Sequence, residues 1–200
     1  MTNSITTMDV KPDSRSSVSV VNGTIDREAY PKSWYAAHVQ MKCEKKSASK
    51  LSALGYETFL PVQEEIHQWS DRRKKIEKVI IPLIVFFKCH KSELSEIEHL
   101  SFIFSLVKYP GSKSAAVIPN DQIEQLKFML GQSESAVALE PLQVKKGAHV
   151  RVIRGKLRGL DGFILTDNRN RSRICITIEN LACASVQVSI EDCELIPDDV

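Results

Sequence analysis

Glycine and proline are scarce, eight of each in 200 residues, and aromatics make up only 6%. Collagen-like, mucin-like and low-complexity chains need glycine or proline in bulk, so those classes are excluded. Long apolar runs are missing too. The longest, Val79 to Phe87, has nine residues and contains Pro82, about half of the ~20 that carry a helix across a bilayer. No membrane association is expected. The five cysteines are odd in number and never stand as C-x-x-C, which excludes a fully paired disulfide framework and a zinc knuckle. No His pairs with another His or a Cys at a metal-ligand spacing, so neither a metal nor any other cofactor is expected. The thiols fit a reducing cytoplasm. MTNSITTMDV at the start lacks a basic stretch followed by an apolar one, so no secretory signal is read there.

Charge of either sign is not in excess, 27 Lys+Arg against 25 Asp+Glu. Contact with nucleic acid must therefore come from local clustering. Clusters are present. Residues 145–173 hold nine Lys/Arg, whereas residues 174–200 hold six acids and no Lys or Arg.

Residues 1–30, rich in Ser, Thr, Asn and Asp, have no apolar face and are expected to be a mobile leader. Order begins with SWYAAHVQ (33–40), a strand. Ala48, Leu51 and Leu54 recur at helical spacing, with Gly55 placed as a C-terminal stop. YETFLP (56–61) is a strand. Residues 62–89 read as one long hairpin, whose second arm is VIIPLIVFFKC and whose tip is Asp71-Arg72-Arg73-Lys74-Lys75. Exposure of that tip is nearly forced, because burying unpaired cations costs many kcal/mol. Apolar residues on both faces of Ile81–Phe87 predict a central strand. Ser92 is expected to cap a short helix through Leu94, Ile97 and Leu100, and FIFSLVKY and AAVIP are strands. Asp121 and Glu124 suggest a capping box for a helix with an Ile123, Leu126 and Leu130 stripe, ended by Gly131. This order makes residues 31–131 an α+β domain, helices on an antiparallel sheet. Residues 132–143 read as a linker. From 144 to 200, short alternating strands at intervals of roughly ten predict a small all-β barrel.

Chemistry-bearing motifs are few. Gly155, Gly159 and Gly162 match neither a P-loop nor a dinucleotide turn, and fit a tight turn and close strand approach instead. Cys89-His90 is the sole hint of a nucleophile and base, resting on adjacency alone; no enzyme activity is expected. The basic clusters remain: Lys42, Lys45, Lys46 and Lys50 by the first helix, and Arg72, Arg73, Lys74, Lys75 and Lys78 at the hairpin. Such cations suit phosphate contacts without base readout.

VKKGAHVRVIRGKLRGLDGFIL (144–165) resembles a KOW motif, which implies an SH3-like barrel with motif residues Arg154, Gly155, Arg158, Gly159 and Gly162. SWYAAHVQMKCEKK, the Pro-containing strand at 79–88 and VKYPGSKSAAVIPNDQIEQLK together resemble the N-terminal domain of NusG-type transcription factors. The polar leader, IHQWSDRRKKIEK and IPNDQIEQLK are similar to the UpxY group, antiterminators of capsular polysaccharide operons. The resemblance implies a non-enzymatic, monomeric, cytoplasmic factor that binds RNA polymerase through Ile84, Phe86, Trp34 and Tyr35. Lys42, Lys45, Lys46, Arg72, Arg73, Lys74 and Lys75 would face upstream or non-template DNA. The barrel would recruit the ribosome or a termination factor. One departure is visible: where the family has Pro-Gly-Tyr or Pro-Ser-Tyr, this chain has Pro82-Leu83-Ile84. The rival expectation is a KOW-type RNA- or ribosome-binding protein without a polymerase role, against which the barrel's one aromatic, Phe163, counts.

Overall fold

The computed structural model describes residues 31–68, 73–166 and 171–197, and their side chains except at 66–68 and 73–74. The elements run β1 (Ser33–Val39), α1 (Glu44–Ala53), β2 (Glu57–Phe59), β3 (Val62–Gln68), β4 (Arg73–Val79) and β5 (Ile84–Cys89). A 3-10 turn at Lys91–Glu93 leads into α2 (Leu94–Glu98), then come β6 (Ile103–Leu106) and α3 (Asn120–Gln132). The remainder is β7 (Ala138–Glu140), β8 (His149–Val152), β9 (Asp161–Thr166), β10 (Ser172–Ile178), β11 (Ala182–Gln187) and β12 (Cys193–Leu195). Antiparallel sheets with few helices make this an α+β fold.

Strand alternation explains the N-terminal layers. Trp34 and Ala36 of β1, with Ile84 and Phe86 of β5, point to the side covered by Ile123, Leu126 and Met129 of α3. Tyr35, Ala37, Val85 and Phe87 point the other way, onto Leu51 of α1 and Ile97 of α2. The sheet order is β2-β5-β1-β6, so β5 is flanked on both edges and buried on both faces, as its apolar pattern predicts. Burying Trp34, Phe86 and Phe87 completely stabilises by about 2–3 kcal/mol apiece on area grounds. Gly55, at φ +91, follows the Leu54 cap of α1, the left-handed stop expected of it.

Several local expectations are corrected. The hairpin does not run through to Cys89: β4 ends at Val79, and β5 restarts after Pro82 and Leu83. Pro82 has no N–H to give a ladder, and Leu83 is left-handed at φ +66, which turns the chain from a separate two-stranded sheet into the main one. Ser92 is not a cap; His90 fills that place, its N–H donating to Glu93 at 2.7 Å. Pro119 precedes α3 and Asp121 lies in its first turn, so the Asp121–Glu124 box does not form. Gly131 is within α3, not beyond it. AAVIP makes only isolated bridges, Lys108 with Ala115 and Trp34 with Ile118.

The C-terminal sheet has the order β12-β8-β9-β10-β11-β7. Residues 132–143, read as a linker, contribute β7, which pairs with β11 through Cys183–Glu140 and Ser185–Ala138. The reason is local: Ala136, Val137, Ala138 and Leu139 are apolar, and Val137 is buried. Its N–H donates to Oε1 of Gln63 at 2.9 Å. Alternate residues Ile174, Ile176 and Ile178 of β10, with Val186 of β11, are buried in the same apolar cluster as α3. The Glu179 N–H donates to Gln122 Oε1 on α3 at 2.8 Å.

Candidate functional site

Two stretches of backbone in the N-terminal domain take conformations that side chains resist. Lys42 has φ +63 and Leu83 φ +66. Each lies in the left-handed region, which costs an L-residue with a Cβ about 1–2 kcal/mol. The Leu83 turn meets the end of β1: the Val39 N–H donates to the Leu83 carbonyl at 2.8 Å. The Leu83 N–H donates to Glu44 Oε1 at 3.0 Å. Glu44, only 5% exposed, opens α1, where the helix dipole favours its negative charge. Both polar groups of the Leu83 backbone are thus held, one by β1 and one by α1.

Three apolar side chains near this turn are exposed. Met41 is 62% exposed, Leu83 36% and Phe104 68%. Strand register puts them at one end of three adjacent strands. Leu83 precedes β5, Met41 follows β1, and Phe104 of β6 lies between Ser105, opposite His38, and Ile103, opposite Val39, where the ladder is irregular. Nothing in their composition singles them out; the Leu at 83, where a small residue is the family habit, was the one available signal.

The four residues expected to touch polymerase are elsewhere. Trp34, Tyr35, Ile84 and Phe86 are all buried, at 3% exposure or less. α3 covers Trp34, Ile84 and Phe86, while Tyr35 faces α1 and α2. Their side chains are interior because an apolar strand face is equally an interior face once a helix packs on it. The Trp34 indole N–H donates to Asn120 Oδ1 at 3.1 Å, and Lys127 stands 5.1 Å from its ring.

The basic residues divide into three groups. Lys45 pairs with Glu77 at 2.5 Å, Lys75 with Glu64 at 2.9 Å and Lys78 with Glu65 at 2.8 Å. Exposed pairs of this kind contribute about 0–1 kcal/mol, and their cations stay available to phosphate. Lys42 and Lys46 are exposed at the α1 end of the sheet. Register places Lys74 opposite His67 and Arg73 opposite Gln68 at the far end of the hairpin; their side chains, and all of Trp69, Asp71 and Arg72, lie outside the described residues, as do residues 1–30.

The glycine cluster is built for turning and close approach. Gly155 has φ +77 and Gly159 φ +93. A Cβ on Gly162 would fall 2.4 Å from the Cys175 carbonyl oxygen. Arg154 and Arg158 are exposed on this turn. Arg154, Gly155, Lys156 and Leu157 line a cavity of about 520 Å³ together with Glu134 and Asp192. Lys156 pairs with Glu134 at 2.5 Å.

Cys89 and His90 do not converge. The Cys89 thiol is in the core and burial pushes it up to about 12, whereas His90 caps the 3-10 turn. A protonated, enclosed thiol is no nucleophile. Among the described residues no group of three His, Cys, Asp or Glu could hold a metal, and no helix is long and apolar enough to cross a membrane.

A solved structure concerned with domain interaction in Thermotoga maritima NusG is similar at 17% identity, covering 83% of this chain and 98% of that one, with TM-score 0.47. The MjSpt4:Spt5 complex in conformation B is similar at 16% identity, covering 82% and 97%, with TM-score 0.26. Identities and scores this low transfer no residue's role. No curated protein matches the chain. The family described as NusG, transcription termination factor nusG, matches residues 32–127, a span that holds the four-stranded sheet and its hairpin. Just under half of the chain is thus similar to the NusG family.

Proposed function

We propose that this protein is a cytoplasmic transcription elongation factor that binds RNA polymerase and suppresses pausing or termination at particular operons. The observation that carries this is the similarity of residues 32–127 to the NusG family, within which a two-stranded hairpin with a strongly basic tip sequence stands as a sheet of its own. Seven residues in each arm give the hairpin a reach of about 23 Å at 3.3 Å per residue. Docking on polymerase falls to Leu83 and Met41, the exposed neighbours of the buried Ile84 and Phe86. The tip cations Arg72, Arg73, Lys74 and Lys75 then hold upstream or non-template DNA through phosphate contacts that position without reading sequence. Lys42, Lys45 and Lys46 add to that field. The C-terminal sheet, with Arg154 and Arg158 on its glycine turn, meets the ribosome or a termination factor. IHQWSDRRKKIEK and IPNDQIEQLK support a UpxY-type role at surface polysaccharide operons. The protein performs no covalent step; it acts by bridging.

The experiment is in vitro transcription through a terminator, run beside a polymerase pull-down. Added protein is expected to raise read-through several-fold. Changing Arg72, Arg73, Lys74 and Lys75 together to Ala should abolish most of that gain while leaving polymerase capture within about twofold, because each phosphate contact contributes salt-dependent affinity for DNA alone. Folded protein that captures polymerase yet leaves read-through unchanged would reject the elongation role.

A further inference from the structure

A strained turn that presents a side chain needs something to hold it. Leu83 adopts φ +66, a conformation glycine takes freely and leucine does not. Residues kept in such regions persist only where their surroundings over-determine them, and they gather at functional surfaces. Here the surroundings are specific. The Leu83 carbonyl accepts from Val39 N–H and its N–H donates to Glu44. Hydrogen bonds to an ionised carboxylate are roughly twice as strong as neutral ones, and Glu44 is buried at 5% exposure. The turn leaves Leu83 36% exposed, and Met41, just past β1, is 62% exposed, beside a sheet whose apolar residues at 34, 84 and 86 are sealed.

We propose that Glu44 is a positioning residue: its carboxylate fixes the left-handed Leu83 turn and thereby holds Leu83 out as an apolar contact for RNA polymerase. This rests on the polymerase-binding reading above. Glu44 itself touches no partner. Removing its acceptor leaves the Leu83 amide free to rotate the turn toward an ordinary conformation, which withdraws the side chain. Glycine at 83 needs no such restraint but offers no side chain either. The two changes should therefore act through one path and not add.

The test measures the affinity of the full chain for RNA polymerase in four forms: wild type, Glu44→Ala, Leu83→Gly and the double variant, with Glu44→Gln as the conservative control. Circular dichroism and thermal melting verify that each is folded. Glu44→Ala and Leu83→Gly are each expected to weaken binding about tenfold. The double variant should be no weaker than Leu83→Gly alone, and Glu44→Gln, which keeps an oxygen acceptor, should stay within about threefold of wild type. A general stabilising role for Glu44 predicts instead that the losses multiply in the double variant, and that outcome overturns the proposal. Unchanged binding by folded Glu44→Ala overturns it equally. Failure of folded wild type to bind polymerase at all is a different result: it removes the docking reading itself, and the proposal with it.

Discussion

The turn after β8 takes its left-handed conformation on glycines, Gly155 and Gly159 at φ +77 and +93, as Gly55 and Gly111 do in the N-terminal domain, and the β10–β11 turn uses Asn180 at +60; after β1 and before β5 the left-handed positions 42 and 83 are instead a lysine and a leucine, at +63 and +66. Gly155 and Gly159 have nothing within 4 Å of where a Cβ would stand. Their glycines answer a backbone demand and nothing else. Lys42 and Leu83 meet the same demand at a cost, and what they present in return is a charge and an apolar side chain at one end of the central strands. At 42 and 83 the strain coincides with outward-facing side chains, which points to use, whereas at 155 and 159 glycine answers only the shape of a turn.

The comparison breaks most readily at Gly162, the glycine whose reason is space and not φ. A methyl group there meets the Cys175 carbonyl oxygen at 2.4 Å and Ile174 Cγ1 at 2.9 Å. Gly162→Ala is expected to destabilise the C-terminal sheet by about 3 kcal/mol, the upper part of the range for overpacked sites, read from urea unfolding. A loss below about 0.5 kcal/mol would show that β9 and β10 separate freely and that the glycine is incidental.

A smaller effect of opposite sign sharpens the other side. Lys42→Gly relieves the left-handed strain of about 1–2 kcal/mol and gives back about 0.5–1 kcal/mol through a more flexible unfolded chain. A net stabilisation of about 0.5 kcal/mol should appear in the urea midpoint. Destabilisation would mean that the lysine stem contributes packing that outweighs its backbone cost.

The same contrast explains how much was legible in the sequence. Turns built on glycine were readable at 55, 155 and 159, because one residue type carries the physics. β5 was readable because apolar residues on both faces admit only a central position. The end of the hairpin was not: Ile80 and Ile81 continue the apolar pattern and are buried, although they lie outside any strand, so burial and pairing part company there. β7 was missed because three residues inside a polar stretch give no period to detect. The burial of the expected contact residues was not legible. Alternation shows that Trp34, Ile84 and Phe86 share a face, but it does not show that Ile123, Leu126 and Met129 cover it, since that depends on where α3 returns in space. Exposure of Met41, Leu83 and Phe104 is likewise a tertiary fact.

The weakest expected effect concerns charge on the turn-rich sheet, where Arg151 of β8 grips Asp161 of β9 with two hydrogen bonds, 2.6 Å from Nε and 2.7 Å from Nη2. That grip holds the Asp161 carboxyl below the usual carboxylate range, against a smaller opposing push from burial. A carboxyl whose folded pKa is depressed contributes stability that is present above its unfolded value, about 3.9, and is lost as pH falls through the folded value. Arg151 is 57% exposed and Asp161 27%, so solvent reaches the pair and screening keeps the contribution small. Wild type should melt slightly above Asp161→Asn at pH 7, and the gap should close below about pH 4 as Asp161 takes up its proton. A gap that persists unchanged at pH 2.5 would assign the aspartate's effect to the shape of the β8–β9 register and not to its charge, leaving Gly162 as the feature that fixes how closely these strands approach.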